Sequence, residues 1–506
     1  MEVIKNIVAG IAILVAFAIQ PVFSQAPSFE KPAVQLGSEY SVKKGSWVPN
    51  ILDTKGEGYL ALQWSNGELG LLRLNESMNV TEQTVLDLSQ GSKKKRFEFV
   101  IRFQSKLLLL SSFINQKHQK KYLFAQTIDE EKLTAADDTK KLSEIFYPKS
   151  KRNSGSFSYD VSQDSTKLLL FANLPYSKGE AERFHFEVFD TDLNSIWQQD
   201  VKLPYLDRDF SIEQYVVDND GNVYVLGQLN NNEYRLLKYG ASTNDATDYG
   251  IKQDGKRLNE MRMSVRSDGT IVSGGFYSTG AVNSGVDGSF FFRIDGKTGR
   301  IVASSFEDFD NDFILKSATV AEAKSARKKV KKGKDLALPS YEFRDIILRE
   351  DGGAMLVGEQ IIIKVVTTTS ADSQGRMTTR TTYYYFYNDL VVVNIAPDGD
   401  IDWVKNIPKE QTSVNDGGYN SSYSMLVHED KLHFVFYNNL RQGKSLSGLV
   451  SVAIDLNGEE TWDKIPETDA TKLIFRGKGG QQVSNNVLIM PGEYKKQRQF
   501  VKFTFD

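Results

Sequence analysis

One kind of short segment recurs along the chain and constrains its fold more than any other feature. In each copy an apolar strand runs into an Asp-Gly or Gly-Gly turn, and a second apolar strand that ends in Gly follows. Three copies occupy Val216–Gly227, Ser267–Gly274 and Glu350–Gly358. The turn residues Gly221 and Gly269 are 48 residues apart. Because Asp and Gly favour tight turns between apolar strands, the copies predict repeated antiparallel strand pairs.

A second motif follows each pair, in which an Asp turn precedes Trp or Val at a fixed distance. Its copies are Asp190–Trp197, Asp295–Val302 and Asp455–Trp462, and Ala396–Trp403 keeps the spacing without the leading Asp. An Asp side chain accepts hydrogen bonds from the backbone just after it, which stabilises a turn. The Trp or Val then begins the next strand and is expected to pack on the neighbouring repeat. The role predicted for this Trp or Val is therefore structural.

Repeats of this length with about four strands each predict an all-β fold, an eight-bladed β-propeller. Eight strand groups begin near Trp47, Arg96, Phe157, Ser211, Met261, Tyr341, Ser421 and Thr471. Seven blades is the alternative, because the fourth strand of the second group, around Leu142–Phe146, is weak. Residues 25–506 are expected to form a single domain, since no blade buries both of its faces alone.

The last strand group ends at Phe500–Phe505 after only three strands. The segment Glu39–Lys43, which precedes the first group, is expected to supply the missing outer strand. Such a closure joins the two ends of the chain and removes an exposed sheet edge.

The Asp turn followed by Trp resembles the repeats of quinoprotein-like and WD-like β-propeller proteins, and the likeness covers nearly all of the chain after residue 24. The resemblance implies a propeller fold. It brings no catalytic residues with it, because the quinoprotein cofactor site has no counterpart in this sequence. No cofactor and no metal are therefore expected.

Residues 1–24 have the features of a secretory signal peptide. Lys5 provides the positive start, Ile7–Ile19 is apolar, and Val22 and Ser24 are small enough for a cleavage site before Gln25. The apolar run is shorter than the roughly 20 residues that cross a bilayer, and no later run is longer. We therefore expect an exported protein with no transmembrane segment in its mature chain.

The amino-acid composition gives a second indication of where in the cell the protein is found. The chain has no cysteine, which excludes disulfides, a lipidated cysteine and thiolate metal sites. An exported chain without disulfides favours a bacterial envelope, on its periplasmic or extracellular side. Gln directly after the cleavage site resembles exported proteins of the Bacteroidota. The net charge of −3 argues against a nucleic acid as the partner.

Long connections are expected on one face of the propeller. In a four-stranded blade, the turn between the second and third strands lies on the same face as the connection to the next blade. Two insertions lie in connections of these two kinds: 310–340 connects one blade to the next, and 361–388 extends a turn between a second and a third strand. Because loops on a rigid scaffold carry binding residues, this elaborated face is the predicted binding face.

Insertion 361–388 predicts a projecting β-hairpin, with Ile361–Thr369 paired to Thr378–Tyr387, since both segments are rich in β-branched and aromatic residues. Two alternatives stay open: the hairpin packs on its own propeller, or it contacts a partner. The candidate partner-binding residues in it are Arg380, Tyr383, Tyr384, Tyr385 and Tyr387, because Tyr and Arg are frequent binding anchors.

Insertion 310–340 predicts a short helix over Ala318–Lys334 that stops near Gly333. Its basic end carries the candidate partner-binding residues Arg327, Lys328, Lys329 and Lys331. A partner contact and a solvated helix end are both compatible with this charge.

No nucleophile, phosphate-loop or zinc motif is present. The sequence therefore favours a binding or scaffold protein of the envelope, monomeric on its own. Its expected partner is a protein of an outer-membrane complex, as an accessory or plug for secretion or transport. The alternative is a glycan-active hydrolase or lyase with its site at the mouth of the propeller channel, where residues from different blades meet.

Overall fold

The structure is a computed structural model. It describes residues 31–505, without residues 55, 91–92, 149–154, 176–178, 231, 243–244, 252–254, 281–284, 317–340, 372, 375, 439–447 and 466–472. The predicted signal peptide, the helix over 318–334 and its residues Arg327, Lys328, Lys329 and Lys331 all lie outside the described residues.

Eight antiparallel sheets of four to six strands follow one another along the described chain. Sheet 1 contains Ile51–Leu52, Tyr59–Ser65, Glu68–Leu74 and Val80–Leu86; sheet 2 contains Arg96–Phe103, Lys106–Asn115, Lys120–Asp129 and Lys140–Phe146, with Thr134–Ala135 at its edge. Sheet 3 contains Ser156–Val161, Leu168–Asn173, Ala181–Phe189 and Ser195–Leu206; sheet 4 contains Phe210–Val217, Val223–Leu229, Tyr234–Tyr239 and Thr247–Gly250.

The second half of the chain continues in the same way. Sheet 5 contains Arg257–Val265, Ile271–Ser278, Gly288–Ile294 and Ile301–Asp308; sheet 6 contains Tyr341–Leu348, Ala354–Ala371, Met377–Ile395 and Ile401–Ile407, with Gln411–Val414 added. Sheet 7 contains Ser424–His428, Lys431–Asn438, Gly448–Ile454 and Glu460–Lys464; sheet 8 contains Ile474–Phe475, Gln481–Ser484, Val487–Tyr494 and Gln497–Thr504, with Ala33–Leu36 and Tyr40–Ser41. A small ribbon pairs Ser89–Gln90 with Lys93–Lys94, and the described helices are Asn311–Lys316 and the 3-10 turn Gly477–Gly479.

Apolar clusters join each sheet to the next and close the ring. The cluster between sheets 8 and 1 includes Ile51, Leu72, Ile489 and Phe500, all buried. Seven comparable clusters lie between the other successive sheets. Four-stranded antiparallel sheets packed face to face around a ring define a β-propeller. The eight described sheets equal the predicted strand groups in number, and Lys140–Phe146 provides the fourth strand of the second group.

A segment from the start of the chain completes sheet 8 as expected, but it begins earlier than the predicted Glu39–Lys43. The closing strand is Ala33–Leu36, which pairs with Gln497–Thr504. The predicted segment Glu39–Lys43 also pairs with that strand through Tyr40–Ser41, and the Val42 N–H donates to the Lys496 carbonyl oxygen at 2.7 Å. The interruption falls at Gly37, where the backbone runs so close to sheet 1 that a Cβ atom would lie 2.0 Å from the Met78 carbonyl oxygen.

The turn motifs have the structural role that the sequence predicts. In the first motif, Asp218 Oδ1 accepts hydrogen bonds from the backbone N–H groups of Asp220 at 3.0 Å and Asn222 at 2.7 Å. In the second, Trp197 Nε1 donates to the Gly221 carbonyl oxygen of the next sheet at 3.0 Å. Each Asp therefore fixes its own turn, and this Trp fastens one blade to the next.

The first strands of the sheets form the inner ring. Some side chains on these strands form hydrogen bonds to the backbone of the neighbouring first strand. For example, Gln214 Nε2 donates to the Met263 carbonyl oxygen and Gln214 Oε1 accepts from the Met263 N–H, both at 2.8 Å. A cavity of about 280 Å³ lies between the first strands of sheets 1, 2, 3 and 8. Among the described helices, none is both long enough and apolar enough to cross a bilayer.

Candidate functional site

A long hairpin projects from sheet 6, and its pairing agrees with the prediction. The second and third strands of the sheet continue past the blade, from the pair Ile361↔Tyr387 to the pair Ala371↔Met377. The described part of the first strand begins at Tyr341, which pairs with Gln360. The hairpin therefore extends roughly 30 Å beyond the blade, on the face that carries the connections between blades.

A short extra strand covers one edge of the hairpin at its base. Gln411–Val414 pairs with residues 384–387 of the second hairpin strand. Just beyond it, the Asn415 N–H donates to the Tyr383 carbonyl oxygen at 2.9 Å, and the Tyr383 N–H donates to Asn415 Oδ1 at 2.9 Å. The base of the hairpin therefore has a third strand, whereas the outer part is two-stranded among the described residues.

One face of the hairpin is apolar and exposed. Side chains alternate between faces along a strand, so Ile363, Val365, Met377 and Tyr383 lie on the same face. They are exposed to 55%, 54%, 68% and 43%, respectively. We call these four residues the apolar face. Single exposed apolar residues are ordinary, whereas a contiguous patch indicates an interaction site.

The predicted hairpin residues divide between three environments. Tyr383 belongs to the apolar face, with the partly buried Tyr385 beside it on the same side of the hairpin. Tyr384 and the exposed Arg380 point to the opposite side. Tyr387 is buried, and Lys478 Nζ donates a hydrogen bond to its hydroxyl at 2.6 Å. Tyr387 therefore belongs to the anchored base of the hairpin and not to its accessible surface.

A buried group of charges, which the sequence analysis did not identify, holds this base. Glu359 and Lys409 are both fully buried, with Lys409 Nζ 2.9 Å from Glu359 Oε1. Arg344 Nη2 lies 2.8 Å from Glu359 Oε2, and Ser422 Oγ donates to that same oxygen at 2.7 Å. We call these four residues the charged cluster. The one signal for it in the sequence is a charged residue, Glu359, inside an otherwise apolar run.

The electrostatics of the charged cluster favour an ionised Glu359. Burial by itself raises the pKa of the Glu359 carboxyl, but Lys409, Ser422 and Arg344 together hold that pKa below its ordinary value. Lys409 Nζ also donates to the Tyr387 carbonyl oxygen at 3.0 Å. The charged cluster thus links the second hairpin strand to the segment that follows sheet 6 and to the start of sheet 7.

Carboxyls on the inner ring could serve an enzyme, but the structure gives two of them, the partly buried Asp160 and the exposed Asp345, structural partners. Asp160 accepts a hydrogen bond from the Val217 N–H at 2.8 Å, and the Tyr423 hydroxyl lies 3.4 Å from Asp345 Oδ2. Among the described residues, no group of three or more His, Asp or Glu side chains is arranged to hold a metal ion. The glycan-active alternative stays a prediction.

Asp160 predicts a pH dependence of stability. Burial raises the pKa of the Asp160 carboxyl from 3.8 to about 6, against the opposing hydrogen bond from Val217. A raised pKa in the folded state favours the protonated form, so the free energy of unfolding falls by roughly 2 kcal/mol as pH rises from about 4 to about 6. Urea unfolding of wild type and Asp160→Asn across this range should show a flatter profile in the variant.

The control for Asp160 is Asp245→Asn, which removes an exposed carboxyl and should keep the wild-type profile. Equal profiles for Asp160→Asn and wild type would contradict the assignment of this pH dependence to Asp160.

Comparisons with known proteins extend to the fold alone. No family model matches the chain, and no curated protein matches its sequence. The WD40 domain of SCAP from fission yeast is 7% identical with a TM-score of 0.41, over 92% of this chain and 98% of that chain. The β-propeller domain of the Trilobed protease from Pyrococcus furiosus is 11% identical with a TM-score of 0.35, over 83% and 96%. The polysaccharide lyase Uly1 is 10% identical with a TM-score of 0.36, over 93% and 100%. No function follows from likenesses of this degree.

Proposed function

We propose that this protein is an exported β-propeller of a bacterial envelope that binds another protein through its projecting hairpin. The observation that carries the proposal is the apolar face: Ile363, Val365 and Tyr383 lie together and exposed on a ribbon that reaches beyond the blade, and Met377 is exposed on the same face nearer the tip. Exposed apolar patches of this kind on otherwise polar surfaces are typical of interaction sites. An accessory or plug in an outer-membrane secretion or transport complex is the form of this function that we favour.

The rigid base supports this assignment. Gln411–Val414, the charged cluster and the bond between Lys478 and Tyr387 fix the lower part of the hairpin to three successive sheets. A binding element held in one conformation loses less conformational entropy when its partner binds. The hairpin is therefore better suited to binding than a mobile loop of the same length would be.

Shortening the hairpin tests the function. Residues 365–383 are replaced by Asn-Gly, which favours a two-residue hairpin turn and leaves the pair Lys364↔Tyr384 to close it. Because Gln411–Val414 keeps its partner strand, the propeller should retain its melting temperature within a few degrees. The amount of protein partner co-purified from native membranes should fall at least tenfold.

Two substitution sets separate the apolar face from the rest of the hairpin. Ile363→Thr, Val365→Thr and Tyr383→Thr together should reproduce the loss, since Thr keeps the strand but removes apolar area. The matched control, Thr368→Ser with Thr382→Ser, alters the opposite face and should bind as wild type does. A shortened protein that is folded and still binds fully would refute the proposal.

A further inference from the structure

We propose that the edge of the hairpin formed by Ile361–Ala371 binds its partner by pairing with an extended strand that carries acidic side chains. This inference rests on the proposed function and specifies how the hairpin recognises a protein. It concerns the backbone edge of the strand and not only the apolar face.

The edge is long and open in the described part of the chain. Within the described residues, the first strand of sheet 6 pairs with the first hairpin strand as far as Tyr341↔Gln360. From Ile361 to Ala371, the pairing found among the described residues is with the second hairpin strand alone. An exposed strand edge presents unpaired N–H and C=O groups and is a template for another strand.

The hydrogen bonds of Tyr383 show which backbone groups face this edge. Both its N–H and its carbonyl oxygen bond Asn415, on the side away from the first hairpin strand. Val365 lies opposite Tyr383, so the two form a non-hydrogen-bonded pair in the antiparallel ladder. Val365 therefore directs its own N–H and C=O outward, and by alternation Ile363, Thr367 and Thr369 do the same.

The two faces of the hairpin beside this edge differ, since one is apolar and the other is basic, and this difference defines the kind of strand that fits. A strand added there would extend the apolar face on one side, next to Ile363 and Val365. On the other side it would lie next to Lys364, with Arg380 one strand further away. Apolar residues that alternate with Asp or Glu complement both sides, since opposite charges on neighbouring strands attract.

The same charges disfavour a second copy of this chain as the occupant. Two copies paired antiparallel along this edge would place Lys364 and Arg380 of each copy on one shared face. Like charges on neighbouring strands are destabilising. A separate partner with acidic side chains avoids this repulsion.

Backbone exchange tests the geometry without any ligand. In the free protein, the amides of Ile363, Val365, Thr367 and Thr369 should exchange hydrogen for deuterium faster than those of Lys364, Val366 and Thr368, which bond the second hairpin strand. Residue-resolved exchange by NMR measures this alternation. Uniform protection along the strand would show that the edge is already covered and would overturn the proposal.

Proline substitution tests the pairing. Thr367→Pro removes one outward N–H and no backbone bond within the hairpin, and Pro is tolerated on edge strands. The bond between the Thr367 and Thr381 hydroxyls, 3.3 Å apart, is lost in both the Pro variant and its Val control. Thr367→Val is the matched control, because it keeps the N–H. The probe is a labelled peptide, Val-Glu-Val-Glu-Val-Glu-Val-Glu-Val, and its binding is measured by fluorescence anisotropy.

We expect the peptide to bind wild type and Thr367→Val equally and to bind Thr367→Pro at least tenfold more weakly. The same peptide with Lys in place of Glu should also bind at least tenfold more weakly. Equal binding to the Pro and Val variants, or no preference for Glu, would overturn the inference. If Thr367→Pro keeps the native partner that the shortened hairpin loses, the proposed function stands and strand pairing fails.

Light scattering tests whether a second copy of this chain occupies the edge. A wild-type dimer that Thr367→Pro converts to monomer would assign the edge to a second copy and overturn the proposal of a separate acidic strand.

Discussion

A chain that begins at Val42, and so lacks the closing strand Ala33–Leu36, is expected to lose at least about 3 kcal/mol of stability and much of its solubility. The closing strand covers Val501 and Phe503, which are both fully buried. Its removal exposes their strand as a sheet edge, with the loss of backbone hydrogen bonds and apolar burial. Urea unfolding, together with the soluble fraction after expression, measures the effect.

The control for this deletion is a chain that begins at Lys31, which keeps the whole closing strand. It should unfold as the protein with residues 25–506 does. If the chain beginning at Val42 were equally stable, the strand at 33–36 would be an appendage, and the ring would be held by its apolar clusters alone.

Glu359→Gln removes the buried carboxylate and is expected to lower the free energy of unfolding by about 3–5 kcal/mol. The substitution leaves the Lys409 ammonium, fully buried in the structure, without a charged partner, and it replaces the charged acceptor of Arg344 with a neutral amide. Lys409→Met should cost less, because Glu359 then keeps its bonds to Arg344 and Ser422. Urea unfolding of both variants provides the comparison.

Glu342→Gln is the matched control for the charged cluster. Glu342 also pairs with Arg344, at 3.4 Å, but its side chain is 48% exposed. An exposed pair contributes roughly 0–1 kcal/mol, so this variant should be nearly as stable as wild type. Equal losses for Glu359→Gln and Glu342→Gln would show that burial does not set the strength of the charged cluster.

The charged cluster also connects stability with binding. Lys409 bonds Glu359 and the Tyr387 carbonyl oxygen, at the point where the hairpin leaves the propeller. Replacing Glu359 leaves the buried Lys409 ammonium without a charged partner, and replacing Lys409 removes the bond to the Tyr387 carbonyl oxygen, so either change loosens this junction first. Variants of the charged cluster should therefore bind the partner more weakly under conditions in which the propeller is still folded.

Features set by neighbouring residues were predictable from the sequence. The turns at Asp190 and Asp218, the use of Trp197 between blades and the register of the hairpin all depend on contacts within one or two repeats. Alternating β-branched and aromatic residues on both sides of a turn determine such pairing locally. The propeller itself follows from the repetition of these local units.

Features that depend on ring closure were decided only by the tertiary structure. The sequence predicted closure by Glu39–Lys43, part of which does pair with the last strand, but the longer closing strand Ala33–Leu36 on the other side of Gly37 was found only in the tertiary structure. The pair Glu359 and Lys409 joins residues 50 positions apart in the chain, and the bond from Lys478 to Tyr387 joins sheet 8 to sheet 6. No local pattern encodes these distances, since they arise when the blades pack around the ring and bring distant charges together away from water.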